Sequence, residues 1–163
     1  MKKVLLAVVI LVGLSTVANA QTSKGTMLLG GGASFRSQGD YSSWSFSPSI
    51  GGFIKDNLAI GGEVSLAGDS EIEGTSSTIA AYIKPYFGGN DKNKWFAKGG
   101  LGLFKSQYME DGKFAYGAGI GNASFLTSDI ALEISANYTK VTDYDKGLFD
   151  LRVGFQIHFG GKK

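Results

Sequence analysis

The chain has one histidine, His158, so any Ser-His-Asp arrangement, in which an imidazole takes a hydroxyl proton, would have to be built on it. It sits next to the last residue of an alternating apolar segment, and nothing in the sequence places a nucleophile beside it; a packing role is expected. Gly117, Gly119 and Gly121 share glycines with a dinucleotide loop, but the third comes one residue early and no helical pattern follows. Asp143 and Asp145 give the D-x-D of a calcium loop without its third ligand or its distal Glu; a solvated loop is expected. Glu71 with Glu73, and Glu110 with Asp111, are paired acids, yet nothing around them would split their pKa values as paired-acid chemistry requires. Asn122-Ala123-Ser124 fits a glycosylation triplet and is discounted. No catalytic group, cofactor site or metal site is expected.

Six other charged residues stand apart because of the face they occupy: Glu63, Lys84, Lys98, Glu133, Asp150 and Arg152. Eight segments alternate large apolar residues with small or polar ones, and alternation of period two places the two sets on opposite faces of a strand. They cover residues 26–35, 46–54, 58–66, 79–87, 95–104, 113–123, 130–139 and 148–159. The last reads LFDLRVGFQIHF, with Phe149, Leu151, Val153, Phe155, Ile157 and Phe159 on one side. Phe96 and Phe104 interrupt the pattern of the fifth.

The connections differ in length. Residues 55–57, 88–94 and 126–129 are read as the shorter turns, and 36–45, 68–77, 106–112 and 140–147 as the four longer loops. No linker or second domain is visible. The fold expected is an all-β, eight-stranded antiparallel up-and-down barrel.

The composition of the polar face decides which side looks inward. A water-facing sheet would carry many Lys, Glu and Asp; here the face is mostly Gly, Ala, Ser and Tyr, with three acids balancing three bases. Small residues and balanced charge suit the lumen of an eight-stranded barrel, which is just wide enough for side chains to fill. The apolar face then meets lipid, and strands of ~9–11 residues tilted by ~45° cross a bilayer. Trp44, Phe46, Phe87, Trp95, Phe114, Tyr138, Phe149 and Phe159 fall near strand ends, as interfacial girdles do. In so narrow a lumen the six charges are expected to pair, Glu63, Glu133 and Asp150 with Lys84, Lys98 and Arg152, assisted by Tyr82, Tyr86 and Gln156.

The first 20 residues open with Lys2 and Lys3, continue in an apolar run from Val4 to Leu14 and end in Ala18-Asn19-Ala20. That is the pattern of a signal peptide and is too short for a membrane helix. The expected organisation is a signal peptide over 1–20 and one barrel domain over 21–163. Beyond Lys2 and Lys3 the chain has 14 basic and 14 acidic residues, which gives no electrostatic case for nucleic acid. With no cysteine, neither a disulfide nor a lipidated N-terminus is expected.

Residues 46–66 (FSPSIGGFIKDNLAIGGEVSL), YIKPYF at 82–87 and the terminal GFQIHF resemble strand–turn–strand units of the small eight-stranded outer-membrane barrels, the OmpA transmembrane-domain/OmpX class of the porin family. The resemblance covers residues 21–163. It implies residence in the outer membrane, insertion by the barrel-assembly machinery, contact with outer-membrane lipid, a monomer, a lumen plugged by charge pairs, and an extracellular partner met through the loops. Members often continue into a peptidoglycan-binding domain, a role not expected of a chain ending at Lys163. Two other readings are carried forward: a narrow porin-like channel, and a soluble lipocalin-like barrel around a lipophilic ligand.

Overall fold

The computed structural model describes residues 22–38, 41–69, 74–106 and 111–160. The segment read as a signal peptide lies outside them, as do Asp40, Glu71, Glu73 and Glu110. Eight strands follow in order: β1 (Met27–Gln38), β2 (Tyr41–Lys55), β3 (Leu58–Asp69), β4 (Thr75–Phe87), β5 (Asn93–Ser106), β6 (Lys113–Phe125), β7 (Ile130–Val141) and β8 (Leu148–Phe159). Each pairs antiparallel with the next, and β1 returns to β8 to close the barrel. Closure matters because lipid offers backbone groups no hydrogen bonds.

The apolar face is outside. Ile50, Ile79, Leu101, Ile120, Leu151 and Phe155 are all exposed, and so are the eight girdle aromatics. A soluble barrel would turn this set inward, so the lipocalin-like alternative is set aside.

At the end where β1 begins and β8 ends the turns are short, and the second and third are fixed by local hydrogen bonds. Asp56-Asn57 turns with Asn57 at φ 61°, a left-handed conformation that Asn tolerates. Gly88 and Gly89 take φ 57° and 77°, and the Asn90 side-chain carbonyl accepts from the backbone N–H of Lys92 and Asn93. In the third turn Thr127 Oγ1 accepts from the N–H of Asp129 and Ile130.

At the opposite end the strands run farther than their alternation suggests. The connection read as 36–45 is almost all strand, with Arg36 opposite Ser43 and Gln38 opposite Tyr41; β3 reaches Asp69, β4 starts at Thr75 and β7 reaches Val141. The loops are therefore shorter than expected. Beyond the membrane both faces of a hairpin are wet, so the backbone ladder continues after the hydrophobic alternation has stopped.

Both prolines lie within strands. Proline has no N–H for the ladder, and the β2–β3 register has a gap at Ser47 and Pro48, the β4–β5 register one at Lys84 and Pro85. Gly31 lies opposite Pro48, and a Cβ there would stand 2.8 Å from the proline Cα.

Candidate functional site: the stratified lumen

From the turn end upward the lumen has three layers. The lowest is apolar and aromatic: Leu28, Phe53, Ala59, Tyr86, Phe96, Ala123, Phe125 and Ala131 are all buried together. His158, fully buried, packs between them, its ring 5.9 Å from that of Phe53 and 5.1 Å from that of Phe125. The expected packing role thus has a location in this floor. The floor itself was not anticipated. Its signal was present: Phe53, Phe96 and Phe125 are large apolar residues standing on the faces otherwise given to glycine and serine.

Above the floor the six charges converge. Lys84 Nζ donates to both carboxylate oxygens of Glu133 at 2.6 Å, and Tyr86 Oη donates to the same carboxylate at 3.1 Å. The ammonium also stands 4.1 Å from the centre of the Phe96 ring, a cation–π contact that ties the charge layer to the floor. Lys98 Nζ reaches Glu63 Oε2 at 2.6 Å, and Arg152 Nη1 reaches Glu63 Oε1 at 3.0 Å. Arg152 Nε lies 3.5 Å from Asp150 Oδ2, which accepts a hydrogen bond from Asn137.

Glu63 therefore bridges two cations from β5 and β8, while Lys84 and Glu133 span the lumen from β4 to β7. Among the three polar helpers, Tyr86 joins the carboxylate, Tyr82 Oη donates to the Ile50 carbonyl at 3.5 Å, and Gln156 Nε2 has no hydrogen-bond partner among the described residues. Desolvated charges of this kind must be paired or cost several kcal/mol each. The space left between them, lined by Glu63, Lys84, Lys98, Glu133 and Arg152 among others, is about 40 Å³.

The third layer is a cup of about 730 Å³ open toward the loop end. Its wall is small and partly hydroxylic, with Ser34, Ser45, Ser65, Thr78 and Thr139, and Lys98, Arg152 and Glu63 form its base. Some hydroxyls satisfy each other across strands: Ser34 with Ser45, and Ser47 with Ser65, both at 2.8 Å.

The remaining candidates lie elsewhere. The glycines at 117, 119 and 121 are in the middle of β6, where they thin the wall and cradle no phosphate. Asn122 and Ser124 bond within the sheet, Ser124 Oγ donating to Asn93 and Asn122. Asp143, at φ 72°, pairs with Lys113 at 2.9 Å on the exposed β7–β8 connection. Asp111 is exposed. Among the described residues no group of three or more His, Asp and Glu is placed to hold a metal.

The chain matches the model of the outer membrane protein beta-barrel domain over residues 4–156. No curated protein matches it. Similar solved structures include the N-terminal β-barrel domain of Pseudomonas aeruginosa OprF, with 14% identity and a TM-score of 0.64 over 83% of this chain and 98% of that one. Neisserial surface protein A aligns at 16% identity and a TM-score of 0.63, covering 82% and 96% of the two chains. The Yersinia pestis outer membrane protein Ail aligns at 17% identity and a TM-score of 0.56, covering 83% and 100%. At such identities these structures share the fold.

Proposed function

The chain belongs to the outer membrane protein beta-barrel domain family, and from that premise we propose that it is a non-conducting barrel of the outer membrane whose work is done at its surface. One observation carries the non-conducting part. Across the lumen, between an aromatic floor and the cup, Glu63, Lys84, Lys98, Glu133, Asp150 and Arg152 interlock and leave a crevice of about 40 Å³. That is room for about one water molecule, far below what a hydrated ion needs. The narrow-channel reading would require this layer to part.

The reading extends to orientation and biogenesis. Residues 1–20 direct export and are removed, the barrel-assembly machinery inserts residues 21–163 as a monomer, and the short turns face the periplasm, as in bacterial barrels generally. The β1–β2, β3–β4, β5–β6 and β7–β8 hairpin tips then face outward and meet the extracellular partner. That a similar structure is a Neisserial surface protein supports this arrangement. No enzymatic step is assigned, because the one histidine is enclosed by Phe53 and Phe125.

Planar-bilayer recording tests the proposal. The wild-type barrel should give little or no steady current, and Glu133→Ala should add a leak. Large, stable wild-type openings unchanged by Glu133→Ala would mean that the charges line a water-filled channel, and the reading would fall.

A further inference from the structure

Gln156, on the inner face of β8, takes no part in the ion pairs beside it. It is 3% exposed, and its Nε2 has no hydrogen-bond partner among the described residues. Buried side-chain donors in folded proteins are met, in the large majority of cases, by a protein group or an ordered water. The amide lines the crevice of about 40 Å³ beneath the cup, together with Ser49, Glu63 and Lys98.

The sheet register shows what surrounds this donor. Gln156 pairs with Gly30 of β1, Gly30 with Ser49 of β2, and Ser49 with Glu63 of β3. The four form one row across the inner face. A Cβ on Gly30 would stand 3.1 Å from Gln156 Nε2, so the amide lies against a residue that offers no side chain to bond. The next side chain in the row, Ser49, is two strand spacings of ~4.8 Å away. Its hydroxyl is hydrogen-bonded to Tyr82, and a hydroxyl oxygen has two acceptor lone pairs. Glu63 receives one hydrogen bond on each oxygen, from Lys98 and from Arg152, whereas a carboxylate has about four acceptor sites. The row thus sets an unmatched donor on one side of a glycine gap and spare acceptors on the other.

We propose that one ordered water lies in this gap, accepting from Gln156 Nε2 and donating to Ser49 Oγ and to the Glu63 carboxylate. A buried water needs ~10–15 Å³ and two to four polar partners; the crevice supplies the space and three partners. An anion would upset a layer in which three acids balance three bases, and a cation would face the amide N–H. Water matches both ends of the row without adding charge. Held there, it links β8 to β2 and β3 over β1, tying the closing strands together inside the barrel as well as along their ladder.

A crystal structure of the detergent-refolded barrel, at a resolution that orders the waters on its hairpin tips, tests this. Wild type should show one solvent peak within ~2.7–3.2 Å of both Gln156 Nε2 and Ser49 Oγ. Gln156→Leu should lose the peak, while Ile157→Leu, on the outer wall beside it, should keep it. Gln156→Met replaces Gln156→Leu if that variant loses the heat-dependent gel shift of a folded barrel. No peak in wild type would overturn the proposal, and so would a peak that survives loss of the amide. A bromide soak that puts an anomalous peak at the position would also overturn it, by showing an anion site. Conduction is a separate matter: a sealed layer with a dry crevice would pass the bilayer test and fail this one.

Discussion

Removing the Glu133 carboxylate should be among the most damaging single changes in this barrel. Lys84 is 4% exposed. Both its strong hydrogen bonds go to that carboxylate at 2.6 Å; what remains near the ammonium are the ring faces of Phe96 and Tyr86 at 4.1 and 5.2 Å. Breaking a buried pair by deleting one partner costs roughly 3–5 kcal/mol, because a desolvated charge is left behind. With a urea dependence of ~2 kcal/mol per molar, Glu133→Ala should lower the unfolding midpoint in lipid vesicles by ~2 M. Glu133→Gln keeps the volume and an acceptor for Tyr86 but not the charge, and should lose most of the same stability. The double change Lys84→Met, Glu133→Leu replaces the pair by apolar groups, an exchange often neutral or better, and should return the midpoint close to wild type. A loss for Glu133→Ala no larger than a surface substitution, about 0.5 kcal/mol, would refute the reasoning. So would a double variant as unstable as the single one, since the damage would then not come from the stranded charge.

Two further outcomes test the faces and the orientation. Ile83→Lys, at an exposed outer position on β4, should cost up to ~2–4 kcal/mol in the same urea assay, the penalty for a cation near the bilayer midplane; a neutral result would mean that this wall meets water. A cysteine at Asp143 should react with an impermeant thiol reagent on intact cells whereas one at Asn90 should not, and labelling at Asn90 alone would invert the topology.

Eight strands and the sidedness of the wall could be read from the sequence because lipid imposes a period-two contrast that only a few inward aromatics, Phe53, Phe96, Phe104 and Phe125, blur. The failures follow from where that contrast ends. Ser42, Ser43 and Ser45 extend β2, and Gly68 and Asp69 extend β3, where Trp44 is the lone large apolar residue to continue the alternation. The six lumenal charges stood out against a face of small residues. Their pairing did not: Lys84 and Glu133 are 49 residues apart on strands that do not touch in the sheet, so which cation meets which acid depends on the stagger of the closed barrel.

The taper of the lumen, by contrast, is written along several inward faces once the turn end is known. Upward from that end, β1 offers Leu28, Gly30, Gly32 and Ser34; β5 offers Phe96, Lys98, Gly100 and Gly102; β6 offers Phe125, Ala123, Gly121, Gly119 and Gly117; and β8 offers His158, Gln156, Gly154 and Arg152. Along these positions of β1, β5 and β6 volume falls with height, so the floor fills and the upper lumen stays open, while Arg152 on β8 returns bulk at the charge layer. The charges come at the transition: Lys84 and Glu133 just above the rings, Glu63 and Lys98 at the next positions, Asp150 and Arg152 higher on β8. Placed lower, they would be buried against hydrocarbon side chains with no room for partners; placed higher, they would be hydrated and would close nothing. Paired at that level they fill the cross-section between the floor and the cup, so the residues that narrow the lumen also give the cup above them a polar base.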